Sequence, residues 1–167
     1  TREYHLALED ADGAALISIL GGKLTTHRQL AEDTINLLTK HFPQMAACQT
    51  NNTPLPGGDL NGMTLDEYNQ HCQLQYPWLE SKLLQQYIQR YGSRIETLLS
   101  NCNHIKDLGT QFSDQLYAKE IDFMIEHEWA QTAEDAFWRR SKHGLHMTAK
   151  QYQEASEYIN THHHKPS

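Results

Sequence analysis

Gly21-Gly22-Lys23-Leu24-Thr25-Thr26-His27-Arg28 follows directly on the apolar run Leu16-Ile17-Ser18-Ile19-Leu20. The run reads as a strand, and the residues after the glycines read as an amphipathic helix. Two glycines at such a corner let the backbone approach a ligand with no Cβ in the way. Amides that open the following helix favour anions and electron-rich ring edges, and Lys23 adds a mobile positive charge. Two readings of the corner stand side by side. In one it is half of a ligand site; in the other it is a tight strand-to-helix turn with a threonine N-cap. It is neither a phosphate loop, which needs GxxxxGK[ST], nor a dinucleotide turn, which needs GxGxxG.

Working outward, residues 3–8 and 15–20 read as two strands joined by a turn around Glu9-Asp10-Ala11-Asp12-Gly13, where Asp-Gly supplies hairpin chemistry. Residues 26–41 read as a helix with Leu30, Ile35, Leu37 and Leu38 as its apolar positions and Pro43 as its stop. Strand, Gly-Gly corner and helix in that order are the expected ending of an α/β nucleotide-binding domain. Residues 44–63 read as a linker, because Thr50-Asn51-Asn52-Thr53-Pro54-Leu55-Pro56-Gly57-Gly58 suits neither helix nor strand. Everything after it reads as helical. Thr64 with Glu67 forms a capping box opening a helix through Cys72. Pro77-Trp78-Leu79 opens a second helix that Gly92 stops. Ser93–Leu99 is a short helix and Phe112–Glu128 a longer one; Thr132 with Asp135 and then Thr148 cap the last two. The expected fold is therefore mainly α. A remnant of an α/β domain (residues 1–43, a hairpin and a helix) is followed by a linker (44–63), a helical domain (64–161) and a polar tail (162–167).

Hydrophobic residues make up 38% of the 167, enough to bury a core, and the formal net charge of -7 without a basic cluster argues against a nonspecific nucleic-acid partner. No apolar run approaches the roughly 20 residues that span a bilayer. Cys48, Cys72 and Cys102 are widely spaced with no CxxC, the pattern of a reduced chain. The chain opens on Thr1-Arg2-Glu3-Tyr4 and runs straight into a strand, which reads as the C-terminal piece of a longer protein.

Three further features carry competing readings. Glu126-His127-Glu128-Trp129 starts like a zinc-protease helix, but HExxH fails at Gln131, so a solvated helix end competes with a metal site and no metal ligand is assigned. Glu134-Asp135 with Arg139-Arg140 reads as intrahelical pairing, with an interdomain bridge as the alternative. Trp78, Trp129 and Trp138 read as core or interdomain anchors. His162-His163-His164 is given no function.

Five blocks in order resemble the C-terminal third of the flavin-dependent, aerobic glycerol-3-phosphate dehydrogenases. They are Thr1-Arg2-Glu3-Tyr4; Gly21-Gly22-Lys23 through Glu32; Leu55-Pro56-Gly57-Gly58; Arg90-Tyr91-Gly92; and His127-Glu128-Trp129-Ala130 through Lys142. The bacterial enzymes are the closer match, with His27 where the family usually has Tyr and Ser141 where Thr is common. The resemblance implies oxidation of sn-glycerol 3-phosphate to dihydroxyacetone phosphate, hydride transfer to FAD, and electrons passing to quinone. It implies a peripheral position on the inner face of the cytoplasmic membrane, and a homodimer in the full-length protein. Residues 1–43 would complete the FAD and substrate-binding domains, and the helical part would form the cap. By the same resemblance Lys23 is the catalytic candidate and, with Arg2, the substrate contact. Gly21, Gly22, Lys23, Leu24 and Thr25 are the FAD contacts, and Thr26, Arg28 and Glu32 hold the helix in place. The piece alone would be inactive, lacking the glycines that bind the FAD pyrophosphate and the general base. A free-standing helical interaction module and a metal-binding helical domain are the competing readings.

Overall fold

The computed structural model describes residues 3–10 and 13–162, and the chain divides at Pro54/Leu55 into two units. In the first, β1 (Tyr4–Glu9) pairs antiparallel with β2 (Leu16–Gly21), Tyr4 opposite Gly21 and Leu8 opposite Ile17. The period of two puts Tyr4, Leu6, Leu8, Ile17 and Ile19 on one face. The tyrosine hydroxyl of Tyr4 donates to Asp33 of α1 (His27–Leu37), tying that strand to the helix. This contact holds the Asp33 carboxyl below its ordinary range and pushes the Tyr4 phenol up. The helix stops a turn sooner than the sequence pattern suggests. From Leu38 to Phe42 the backbone closes tight turns, and the Thr39 hydroxyl takes the Asn36 carbonyl at 2.7 Å, competing with helix continuation.

The first unit buries none of its described residues. Leu16 and Leu20, on the hairpin face opposite Leu6 and Leu8, are mostly exposed, as are Ile35 and Phe42. A lone two-stranded hairpin with one helix is marginal in water, so these apolar faces suit a surface that further protein covers.

The second unit has its own core in two parts. Helices α2 (Leu65–Gln75), α3 (Ser81–Tyr91) and α4 (Ile95–Leu98) enclose the first around Tyr68, Leu84, Tyr87, Ile88 and Ile95. The second gathers Phe112, Leu116, Ile121, Met124, Phe137 and Ile159, with α5 (Ala118–Glu128) and α6 (Ala149–His162) as its walls. Helix α5 serves both, since Phe123 enters the first part and Ile121 and Met124 the second. Cys72 and Cys102 are buried free thiols whose pKa values burial pushes up.

The expected helix from Phe112 to Glu128 is corrected at its start. Residues 111–117 form a small antiparallel hairpin, β3 (Gln111–Ser113) and β4 (Leu116–Tyr117), with an irregular register at Ser113. Ser113-Asp114-Gln115 supplies the turn, with the Ser113 hydroxyl accepting from the Gln115 amide at 3.5 Å, and Phe112, Leu116 and Tyr117 suit a half-buried sheet. The fold remains mainly α, as expected.

Capping sets the helix starts. Thr64 and Glu67 exchange hydrogen bonds at the head of α2, and Thr148 and Gln151 do the same for α6. Thr132 and Asp135 open a helix at residue 133 whose Asp135–Arg140 stretch is π-wound. The Arg139 hydrogen bond, with those from Thr132 and Gln131, holds the Asp135 carboxyl down to about 2. Replacing Thr132 by alanine is expected to cost about 1 kcal/mol in urea unfolding. Because the folded value is depressed, the Asp135 contribution is complete above the ordinary carboxylate range. It is lost as pH falls from about 4 towards about 2. Acid titration of the Thr132→Ala variant is expected to show a smaller loss that starts at the same pH and is complete at a higher one.

The block Leu55-Pro56-Gly57-Gly58 is stapled to the end of α3. The Ser93 amide donates to the Gly57 carbonyl at 3.0 Å, and the two glycine backbones meet so closely that a Cβ on either would overlap the other strand of chain. Gly92 has φ +55 and Gly57 φ +88, both in the left-handed half of the map.

The C-terminus of α5 is capped without glycine. Trp129 takes φ +57, and its amide and the Ala130 amide both reach the Met124 carbonyl, the latter at 3.1 Å, a closure wider than an α-turn. Arg94 ion-pairs with Glu128 at 2.6 Å and donates to the His127 carbonyl, and Arg140 donates to the Glu128 carbonyl. Two guanidiniums thus satisfy the helix's last acceptors and favour its negative end. Of the two readings of Trp129, core or interdomain anchor, the core one is overturned: it is 83% exposed, because the left-handed cap turns it away from both parts of the core. Trp78 does pack against the first part.

Candidate functional site

The corner of the first unit is built as a sharp backbone bend. Gly21 has φ +79 and Gly22 φ +100, and a Cβ on Gly22 would press on the Tyr4 Cβ at 3.4 Å. Lys23 then returns to extended backbone and opens a single 3-10 turn, Leu24–Thr26, before α1 begins. The Lys23 carbonyl accepts from the Thr26 amide at 3.0 Å and the Thr26 hydroxyl at 2.9 Å, while the Lys23 amide donates back to that hydroxyl at 3.3 Å. The expected row of helix-opening amides is therefore shorter than the sequence suggested, since the Lys23 and Thr26 amides are used within the turn.

What the corner offers outward is bare glycine backbone and a cation. Lys23 is exposed and has no ion-pair partner among the described residues. Leu24 projects beside it, 88% exposed. Thr25 is also exposed, so Gly21, Lys23, Leu24 and Thr25 form one open edge with Gly22 half-buried beneath. Arg2 lies outside the described residues. Behind the edge, Arg28 pairs with Glu32 at 2.7 Å, Gln29 donates to Asp33 at 2.8 Å, and the His27 ring contacts the Leu24 carbonyl at 2.7 Å. Arg28 is thereby committed to its own helix, which separates it from Lys23 in a way the sequence pattern alone could not.

The other sequence candidates disperse. Glu128 serves Arg94, His127 packs on Phe123, and among the described residues no group of three His, Cys, Asp or Glu could hold a metal ion. Arg139 pairs with Glu134 at 2.8 Å and Asp135 at 2.6 Å, the intrahelical arrangement. One group escaped sequence reasoning altogether. Glu120 is fully buried, and its Oε1 accepts from Arg90 at 2.6 Å and Tyr91 at 2.7 Å, with His143 Nε2 at 3.2 Å. Burial pushes its carboxyl up, but His143, Arg90 and Tyr91 outweigh that and hold it below its ordinary value. Its partners lie 30 residues before it and 23 after, a spacing no local pattern reveals.

A strand–Gly-Gly–helix unit followed by a mainly helical unit with its own core defines the class: a C-terminal helical domain carried behind an α/β corner. The chain belongs to the family described as the C-terminal domain of alpha-glycerophosphate oxidase, whose model matches residues 48–163. It is 38% identical over 160 residues to the aerobic glycerol-3-phosphate dehydrogenase of Escherichia coli (strain K12), covering 95% of this chain and 32% of that one. Identity is also 38% to the glycerol-3-phosphate dehydrogenase of Pseudomonas aeruginosa, across 99% of this chain and 33% of the relative. The D-erythritol 1-phosphate dehydrogenase of Brucella abortus is 36% identical over 89% of this chain and 30% of its own length. The chain spans about a third of the length of the curated relatives it matches.

Proposed function

We propose that the chain is the C-terminal region of an FAD-dependent glycerol-3-phosphate dehydrogenase that oxidises sn-glycerol 3-phosphate to dihydroxyacetone phosphate and passes the electrons to a quinone. The observation that carries this reading is the corner itself, with Gly21 and Gly22 free of side chains, Lys23 unpaired among the described residues, and a first unit none of whose described residues is buried. Such an edge fits a large ring and a phosphate brought against it by further protein. FAD, when bound, supplies the acceptor for the hydride leaving C2 of the substrate. The proton of the C2 hydroxyl goes to a base outside this chain.

Within that frame the chain's own residues bind and stabilise. The Lys23 ammonium offsets negative charge on the substrate phosphate and on the ring edge that gains charge during reduction. The backbone from Gly21 to Thr25 allows close approach. Arg2 adds a planar fork suited to phosphate. Arg28 and Glu32 keep α1 in register behind the corner. On this reading the enzyme works as a homodimer at the inner face of the cytoplasmic membrane, with the helical unit as its cap.

The test uses the longer protein that contains these residues. It is expected to reduce a dye acceptor with sn-glycerol 3-phosphate, whereas the 167-residue chain alone gains no flavin absorbance on titration with FAD. Turnover of D-erythritol 1-phosphate with none of glycerol 3-phosphate would overturn the substrate assignment.

A further inference from the structure

Trp129 stands at a helix end that favours glycine and carries the largest of all side chains instead. Its φ of +57 lies in the left-handed region, where the Cβ of an L-residue crowds the following carbonyl and glycine does not. Among the described residues the other non-glycine positions with positive φ are Asn61 and Asn101. Asparagine tolerates this region through local hydrogen bonds of its short side chain; an indole has no such relief. Nor does packing offset the strain. The ring is 83% exposed, belongs to neither part of the core, and makes no ring contact or hydrogen bond among the described residues.

The surroundings hold the ring in that outward position. Arg94 and Arg140 donate to the carbonyls of His127 and Glu128, the two residues before it. Arg94 is itself fixed, by the Glu128 carboxylate and by lying over the Phe123 ring at 4.8 Å. Arg140 uses only Nε on the helix end, and its charge forms no ion pair among the described residues. A firmly presented indole beside an uncompensated guanidinium joins two of the side chains that carry most binding energy at protein–protein contacts.

We propose that Trp129 is the anchor by which the helical unit docks on the part of the longer protein that lies outside these residues. This role presupposes the reading of the chain as the C-terminal region of a dehydrogenase. The chain spans about a third of the length of its relatives, so the other two thirds supply the surface. That surface offers an apolar pocket for the indole, an acceptor for its Nε1–H, and carboxylate or carbonyl oxygens for Arg140. Glycine at position 129 would close α5 with less strain but would leave nothing to insert. Because both surfaces belong to one polypeptide, their high effective concentration lets a single anchor suffice without a broad apolar face.

The Ala130 amide, which closes α5 onto the Met124 carbonyl at 3.1 Å, is the natural reporter. Its hydrogen exchange is expected to be at least about tenfold slower in the longer protein than in the 167-residue chain, the scale of one interface tryptophan. Trp129→Gly is expected to remove that difference. It speeds exchange in the longer protein and leaves it equal or slower in the 167-residue chain, where glycine relieves the strain. Hydroxyl-radical labelling gives a second readout that needs no variant, with the indole labelled heavily in the 167-residue chain and protected in the longer protein. Equal labelling in the two proteins, an unchanged Ala130 rate in the longer Trp129→Gly protein, or a faster one in the 167-residue variant would each overturn the anchor. So would protection that appears only with vesicles of phosphatidylglycerol and phosphatidylethanolamine, which assigns the ring to a membrane. Protection in the 167-residue chain that disappears on dilution would assign it to a second copy, with the same consequence. Dye reduction with sn-glycerol 3-phosphate by the same preparation separates this role from the proposed activity. An active longer protein with an unprotected ring refutes the anchor alone, and an inactive one with a protected ring refutes the activity alone.

Discussion

Replacing Gly92 by alanine is expected to destabilise the helical unit by about 3–5 kcal/mol, adding backbone strain of about 1–3 kcal/mol to an overpacking cost of similar size. Gly92 sits at φ +55 and ψ -133, where a side chain is strained whatever the space. Its missing Cβ also faces the Gly57 carbonyl, and the obstacle is backbone, so no rotamer change relieves it. Gly62 separates the two causes. It has φ +77 with nothing within 4 Å of a built Cβ. Gly62→Ala is therefore expected to cost only about 1–2 kcal/mol, the strain component alone. Urea unfolding followed by tryptophan fluorescence measures both, because Trp78, Trp129 and Trp138 all lie in the second unit. A Gly92→Ala midpoint matching that of Gly62→Ala would remove the close approach from the account.

Lys23→Ala in the longer protein is expected to lower turnover with sn-glycerol 3-phosphate by at least about tenfold, since losing one such charge-stabilising group costs on the order of 2–4 kcal/mol. The split between constants separates its two roles. A contact made equally in ground and transition states raises KM, while stabilisation of charge that develops during hydride transfer lowers kcat. Both are expected to change. Arg28→Ala is the matched control, because Arg28 is engaged with Glu32 on its own helix. It is expected to leave turnover within about twofold, as loss of an exposed i,i+4 pair costs only a few tenths of a kcal/mol. Equal losses in the two variants would mean that net positive charge near the corner matters and the position of Lys23 does not.

Local chemistry made much of this architecture legible before the structure. The threonine caps at Thr64, Thr132 and Thr148 work through partners three residues on, so their signal lies within one turn of chain. Gly92 announced a helix end for the same reason. The β3–β4 hairpin was hidden because Phe112, Leu116 and Tyr117 also fit a helical spacing, and a strand of two or three residues is too short for alternation to tell apart. The cap at Trp129 was hidden for a different reason. Its left-handed backbone is stabilised by Arg94 and Arg140, which reach it from 33 residues before His127 and 12 after Glu128. Glu120 is the extreme case, a carboxylate in a helix whose polar partners come from two distant elements.

At the corner, sequence located the open edge but not its hydrogen bonding. Gly21-Gly22-Lys23 gives a sharp bend in any context, since both glycines take positive φ. The Thr26 hydroxyl, which satisfies both the Lys23 amide and carbonyl, converts an expected helix N-terminus into a closed turn. The outward chemistry is left to the Lys23 ammonium. That narrows the proposed role of the corner from general anion attraction to one side chain and a stretch of bare backbone.

The most direct measurement is anaerobic mixing of the longer protein with sn-glycerol 3-phosphate while its visible flavin absorption is recorded. Stoichiometric bleaching in the wild type, slowed at least about tenfold in Lys23→Ala, is the result expected of a flavin dehydrogenase whose pocket this corner completes. A protein that carries no flavin, or one whose bleaching is equally fast in the variant, would contradict it.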